Sequence, residues 1–103
     1  LVNIVTKARA NASHTLQIEV EVENLDQVQE ALDARADILL LDNMQLEEMR
    51  KAVKLAKGNA ITEASGGINL RTVRQIASTG VDLISVGALT HSVKALDISL
   101  DLE

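Results

Sequence analysis

Three carboxylates recur along this 103-residue chain at an even spacing: Glu21, Asp42 and Glu63, each 21 residues after the one before. Glu21 stands near the end of an alternating run, Asp42 directly follows four aliphatic residues, and Glu63 stands near the end of a shorter apolar run. One strand-helix unit fits between each pair, so the three side chains are expected at corresponding heights on neighbouring strands. Acids gathered at one rim can hold sugar hydroxyls or a Mg²⁺ with its waters, because hard cations favour oxygen ligands. Two glycine turns follow the same runs: Ser65-Gly66-Gly67 and, one unit later, Gly87. Glycines at such points let backbone N–H groups approach an anion closely. In barrels of alternating strands and helices, phosphate sites are built from loops after late strands with a short helix. Here the segment after Gly87 offers Thr90, His91 and Ser92, with His91 a candidate donor to phosphate or a cap for its own helix.

Each candidate has a plainer reading. Glu19 and Glu23 read as solvated acids, because alternation turns some acids of that strand toward water. Asp42 is held at the edge of an aliphatic run, which favours a role at the rim. Glu63 is balanced between the rim and a cap or ion pair with a neighbouring Lys. His14 falls in an early loop and reads as surface. Met44 and Met49 sit at helical spacing and read as packing residues.

The elements that must position these residues follow from periodicity. Val2, Val5 and Ala8 suggest a short helix over 2–11, and Ala12-Ser13-His14 a loop. Thr15 to Val22 alternates strictly, with Leu16, Ile18, Val20 and Val22 against Gln17, Glu19 and Glu21, the pattern of a strand with two different faces. Asn24 with Gln27 makes a capping pair before the helical stripe Leu25, Val28, Ala31 and Leu32. Ile38 to Leu41 reads as a strand covered on both faces. Leu46, Met49, Ala52, Val53 and Ala56 form a second stripe, closed by Gly58. Ala60 to Ala64 is a third strand. Asn69 caps a third helix through Val73, Ile76 and Ala77, which stops near Gly80. Val81 to Val86 is a fourth strand, and a last short helix is expected over Leu89 to Leu96. Strands alternating with helices predict a parallel sheet with right-handed crossovers. The expected architecture is a single (β/α)4 half-barrel spanning residues 1–103, with an open, flavodoxin-like three-layer sheet as the alternative. A half-barrel leaves edge strands and a concave face to cover, so self-association is expected.

Composition narrows the function classes. The chain has no Phe, Tyr or Trp and a net charge of −5. Without aromatic platforms or clustered cations, nucleic-acid binding is not expected. With no Cys the chain fits a reducing cytoplasm, and no apolar run approaches the length of a membrane span. The first residue is Leu rather than Met, Pro is absent, and the last two residues, Leu102-Glu103, are a pair that cloning vectors leave behind. These features suit an excised or engineered fragment as well as a natural chain.

Four stretches in order resemble the successive motifs of quinolinate phosphoribosyltransferases: Glu19-Val20-Glu21-Val22-Glu23, Leu40-Leu41-Asp42-Asn43-Met44, Glu63-Ala64-Ser65-Gly66-Gly67-Ile68 and Ser85-Val86-Gly87-Ala88-Leu89-Thr90-His91-Ser92. Lys94 to Leu100 is similar to that family's C-terminus. The resemblance implies transfer of a phosphoribosyl group from phosphoribosyl pyrophosphate to quinolinate with Mg²⁺, giving nicotinate mononucleotide, CO₂ and pyrophosphate, a step of NAD biosynthesis. It implies that Glu21 and Asp42 contact the ribose and the metal-pyrophosphate region. It places Ser65, Gly66, Gly67, Gly87 and His91 around the ribose 5′-phosphate, with Glu63 at the same rim. The Arg, Lys and His motifs that hold quinolinate's carboxylates in the family are absent here. So is the N-terminal domain that completes the site across a dimer. Arg35 stands where the family usually has Gly. A dianionic substrate is not expected to bind against rim acids without those cations, so the chain alone is expected to be inactive. A self-assembling half-barrel scaffold without catalytic function is the alternative; a different phosphosugar isomerase or lyase fits the four ordered motifs poorly.

Overall fold

The computed structural model describes residues 3–8, 16–87 and 89–94. Strand β1 (Asn3–Ala8) pairs antiparallel with β2 (Leu16–Val22), from Asn3 opposite Glu21 to Ala8 opposite Leu16. The chain then passes through α1 (Leu25–Asp33), β3 (Ile38–Asp42), α2 (Leu46–Ala56), β4 (Ile61–Ser65), α3 (Val73–Ala77), β5 (Leu83–Val86) and β6 (Leu89–Ser92). Neighbours β2, β3, β4 and β5 are parallel, and β6 returns antiparallel to β5. The described strands form one sheet in the order β1-β2-β3-β4-β5-β6.

That sequential order decides between the two expected architectures. A doubly wound layer reverses its strand order so that helices cover both faces. Here each crossover moves one strand in the same direction, and α1, α2 and α3 pack on one face. Val20, Val22, Leu39, Leu41, Ala64 and Ile84 meet Val28, Ala31, Met49, Ala52, Ala56, Val73 and Ile76 in a single aliphatic core. The architecture is therefore the half-barrel, with one face of the sheet free of helices among the described residues. Burial of Leu39 and Leu41, both fully enclosed, contributes on the order of 2 kcal/mol each.

Two expected helices are strands instead. Residues 3–8 carry Ile4, Val5 and Thr6 in succession, β-branched side chains that suit a pleated strand, and β1 covers what would be the open edge of β2. Leu89–Ser92 is extended for the same reason: it pairs with the edge of β5, with the turn at Gly87 in the left-handed region at φ +62°. Val93 and Lys94 begin a helical turn, while the rest of the expected helix, like the expected loop with His14, lies outside the described residues.

Helix α1 starts as expected, with the Asn24 side chain accepting from the Gln27 N–H at 2.9 Å. The Gln27 side chain reaches back one residue further than a standard capping box, accepting from the Glu23 N–H at 2.7 Å. The helix ends in a Schellman motif: the Ala36 N–H donates to the Ala31 carbonyl and the Arg35 N–H to the Leu32 carbonyl, both at 3.0 Å. Arg35 therefore takes φ +62°, a conformation suited to glycine.

The amino ends of the strands carry a device not anticipated from periodicity. The Asp37 carboxylate accepts from the Ile18 N–H at 2.8 Å, its own N–H donates to the Ile18 carbonyl, and its carbonyl accepts from the Ile61 N–H. Asp82 repeats the arrangement, with its carboxylate accepting from the Thr62 N–H at 2.9 Å, its N–H donating to the Thr62 carbonyl, and its carbonyl accepting from the Val93 N–H. Both residues sit in the same local pattern, Ala36-Asp37-Ile38 and Val81-Asp82-Leu83. Asp37 thus ties β2, β3 and β4 near their starts, and Asp82 ties the starts of β4 and β5 to the residue that follows β6.

Candidate functional site at the carboxyl rim

Alternation fixes which side chains leave the helix-covered core. With Val20, Leu39, Ala64 and Ile84 under the helices, the opposite face receives Glu19 and Glu21 from β2, Leu40 and Asp42 from β3, Glu63 and Ser65 from β4, and Leu83 and Ser85 from β5. Glu21, Asp42 and Glu63 do share this face. Their heights differ from the expectation of three corresponding positions: Glu21 pairs with Leu40 and Leu40 with Glu63, so those two acids are level, whereas Asp42 lies one step higher, level with Ser65. Parallel register depends on where each strand begins, not on the residue count between acids.

Glu21 and Asp42 nonetheless meet. Their carboxyl groups share a hydrogen bond, which raises the Glu21 pKa above the usual glutamate value; partial burial and the negative charges of Asp42, Glu23 and Glu19 push it the same way. Glu23 is exposed, as expected, but Glu19 is 2 % exposed, against the expectation of a solvated acid. Glu63 is also buried; it accepts from the Ser85 hydroxyl at 2.6 Å rather than pairing with a lysine.

The glycine turn adjoins the acids. Gly66 and Gly67 have φ of +84° and +57°. A Cβ placed on Gly66 would lie 2.8 Å from Asp42 Oδ1 and 3.0 Å from the Asn43 backbone nitrogen, so only glycine fits there without displacing the rim. The Asn43 N–H donates to the Ser65 carbonyl at 2.9 Å and locks the two loops together. The following turn is opened by Asn69, whose side chain accepts from the Arg71 and Thr72 N–H groups at 2.8 and 3.2 Å. On the helix side of the Gly66-Gly67 turn lies a cleft of about 470 Å³, lined in part by Asn43, Met49, Arg50, Ile68 and Gln75, with Arg50 engaged by Glu47. Met44 and Met49 are buried packing residues, as expected.

His91 is placed differently from the expectation. It does not open a helix; it lies within β6 opposite Ile84, on the helix-covered face, while Thr90 lies opposite Ser85 on the face of the acids. Ser85 and Thr90 were not singled out by spacing as partners of Glu63, and their hydroxyls are 3.1 Å apart. The available signal was the polar Ser85 between Ile84 and Val86 in an otherwise aliphatic strand. Among the described residues no cluster of three or more metal-ligating side chains occurs, and no helix is long and apolar enough to cross a membrane.

Acids and glycine turns at the carboxyl ends of sequential parallel strands are the arrangement of a (β/α) barrel enzyme at its active face. Residues 1–101 match the family model described as quinolinate phosphoribosyl transferase, C-terminal domain, and the chain belongs to that family. It is 49 % identical over 96 residues to a probable carboxylating nicotinate-nucleotide pyrophosphorylase of Bacillus subtilis, covering 93 % of this chain and 33 % of the relative. The rat nicotinate-nucleotide pyrophosphorylase is 41 % identical over 101 residues, covering 95 % of this chain and 34 % of its own length. The solved nicotinate-nucleotide pyrophosphorylase from Francisella tularensis aligns with a TM-score of 0.66 at 50 % identity, covering 68 % of this chain and 25 % of that one. The chain thus spans about a third of the length of these curated relatives.

Proposed function

We propose that this chain supplies the phosphoribosyl half of a quinolinate phosphoribosyltransferase site and is inactive without the remainder of such an enzyme. The observation that carries the reading is the contact between the Gly66 turn and Asp42, which puts an anion-accepting backbone beside two carboxylates at one end of the sheet. Phosphoribosyl pyrophosphate combines a terminal phosphate, a ribose and a metal-bound pyrophosphate, and the rim offers a counterpart for each. The turn Ser65-Gly66-Gly67, with Gly87 across β5, receives the 5′-phosphate on backbone N–H groups. Glu21, Asp42 and Glu63 face the ribose.

The donor set of Glu21 and Asp42 fits Mg²⁺, which is held by one or two carboxylates together with substrate phosphates and water rather than by a full protein cage. Bound there, Mg²⁺ would offset the charge on the departing pyrophosphate. With its pKa raised, the Glu21 carboxyl is one for which proton and metal compete. As the bond from ribose C1 to pyrophosphate breaks and the bond to the quinolinate nitrogen forms, the carboxylates favour the positive charge developing at C1. The resemblance also assigns His91 to the phosphate. In this geometry it lies on the other face, so a His91→Ala titration decides whether the hairpin rearranges to bring it in.

None of the residues that β2 to β5 place on the acid-bearing face is Lys or Arg, so no cations for the two carboxylates of quinolinate stand there, which motivates the expected inactivity. A homo-oligomer covering the acid-bearing face belongs to the same reading, and light scattering tests it. For activity, purified chain is assayed for nicotinate mononucleotide from quinolinate, phosphoribosyl pyrophosphate and Mg²⁺. No product is expected; measurable turnover overturns the inactivity. In parallel, phosphoribosyl pyrophosphate with Mg²⁺ is titrated by NMR, and shifts confined to regions away from Asn43, Ser65, Gly66 and Gly87 overturn the site.

A further inference from the structure

The Thr90 and Ser85 hydroxyls and the Glu63 carboxylate form a chain across three strands. Ser85 donates its only hydroxyl proton to Glu63 Oε2 at 2.6 Å. The Ser85 oxygen is then left as an acceptor toward the Thr90 hydroxyl at 3.1 Å, so the direction of donation runs from Thr90 through Ser85 to Glu63. Ser85 comes from β5 and Thr90 from β6, and the two strands meet in the hairpin whose turn is Gly87. The chain of hydroxyls therefore couples a buried rim acid to the second glycine turn. A carboxyl group that is only 8 % exposed needs hydrogen-bond partners to offset its lost hydration and to hold it in one rotamer.

We infer that Ser85, backed by Thr90, is a positioning residue: it holds the Glu63 carboxylate by Oε2 and leaves Oε1 for a ribose hydroxyl. This rests on the reading of the rim as a phosphoribosyl site. The ligand class is a phosphorylated pentose, and the contribution of Ser85 is specific to the sugar. Inorganic phosphate, which needs the glycine turns alone, does not depend on it.

The test compares ribose 5-phosphate with inorganic phosphate, each titrated by NMR against the wild-type chain, Ser85→Ala, Ser85→Thr and Thr90→Val. Thermal unfolding confirms that each variant is folded. Ser85→Ala should weaken ribose 5-phosphate about tenfold and inorganic phosphate less than twofold, since a lost charge-assisted bond acts on the sugar only. Ser85→Thr, which keeps the hydroxyl, should restore most of the loss, and Thr90→Val should give an intermediate one. Equal weakening of both ligands by Ser85→Ala, or no weakening of either, overturns the positioning role while leaving the site standing. A wild-type chain that binds neither ligand at the rim overturns the phosphoribosyl reading and this inference with it.

Discussion

At the amino ends of the strands, Asp37 and Asp82 each accept a backbone N–H from the preceding strand and pass a carbonyl to the next. At the carboxyl ends, Glu21 and Asp42 face one another, and their contact raises the Glu21 pKa above the usual glutamate value. Four acids on one small sheet thus divide by height. The lower pair is satisfied by the main chain and serves to fix register. The upper pair is left with mutual repulsion that only a proton or a bound cation relieves. This matches the division in (β/α) barrels between a stabilising end and an active end, and here it is achieved with the same functional group.

The largest effect on that contrast should come from Gly66→Val. A branched side chain at φ +84° meets Asp42 Oδ1 and the Asn43 nitrogen, so the variant should lose about 2–4 kcal/mol of stability and all phosphosugar binding, as read by urea denaturation and NMR titration. A variant within about 0.5 kcal/mol of wild type, the range of ordinary surface changes, would place the turn elsewhere. Asp82→Ala should cost about 1–3 kcal/mol and leave ligand binding intact, because it strands the N–H of Thr62, which is 2 % exposed. Asp37→Ala should cost less, since Ile18 is 38 % exposed and water can replace the carboxylate. Equal costs would mean that burial does not set the strength of these clamps.

Arg35→Gly should stabilise the chain by about 1 kcal/mol in the same denaturation experiment, by relieving a left-handed arginine in the Schellman turn. No gain would mean that the arginine side chain offsets the backbone strain. Asp42→Asn probes the upper pair through pH. The folded-state pKa of Glu21 is raised, so the native chain binds more protons than the unfolded one between the usual glutamate value and the raised one. Stability therefore falls as pH rises through that window. Asp42→Asn should flatten this slope in urea titrations at successive pH values, and should weaken Mg²⁺-dependent phosphosugar binding more than metal-free binding. An unchanged slope would separate Asp42 from the Glu21 titration.

Much of this was legible from residue order. The alternation of Thr15 to Val22 gave a strand with Val20 and Val22 inward, Asn24 gave a cap, and the aliphatic run at Ile38 gave a core strand. The acids and Gly66 were correctly brought to one mouth because strand ends and loops share a direction in a parallel sheet. What escaped were features set by pairing at a distance. β1 and β6 are strands because an edge of the sheet recruits them, which local spacing of Val2, Val5 and Ala8 does not encode. The orientation of His91 follows from β6. The Ser85–Glu63 bond joins residues 22 apart on neighbouring strands and needs the register to be known.

The reversed flanks β1 and β6 also govern how the half-barrel can grow. A closed (β/α) barrel is continued by strands that run the same way as their neighbours, yet each end of the four-stranded parallel block is already sealed by a strand pointing the other way. Joining two copies into a complete barrel would therefore be an exchange reaction, in which both seals must peel off before the parallel edges can meet. Assembly of that kind should be slow and set by the loosening of the hairpins, not by the encounter of two molecules.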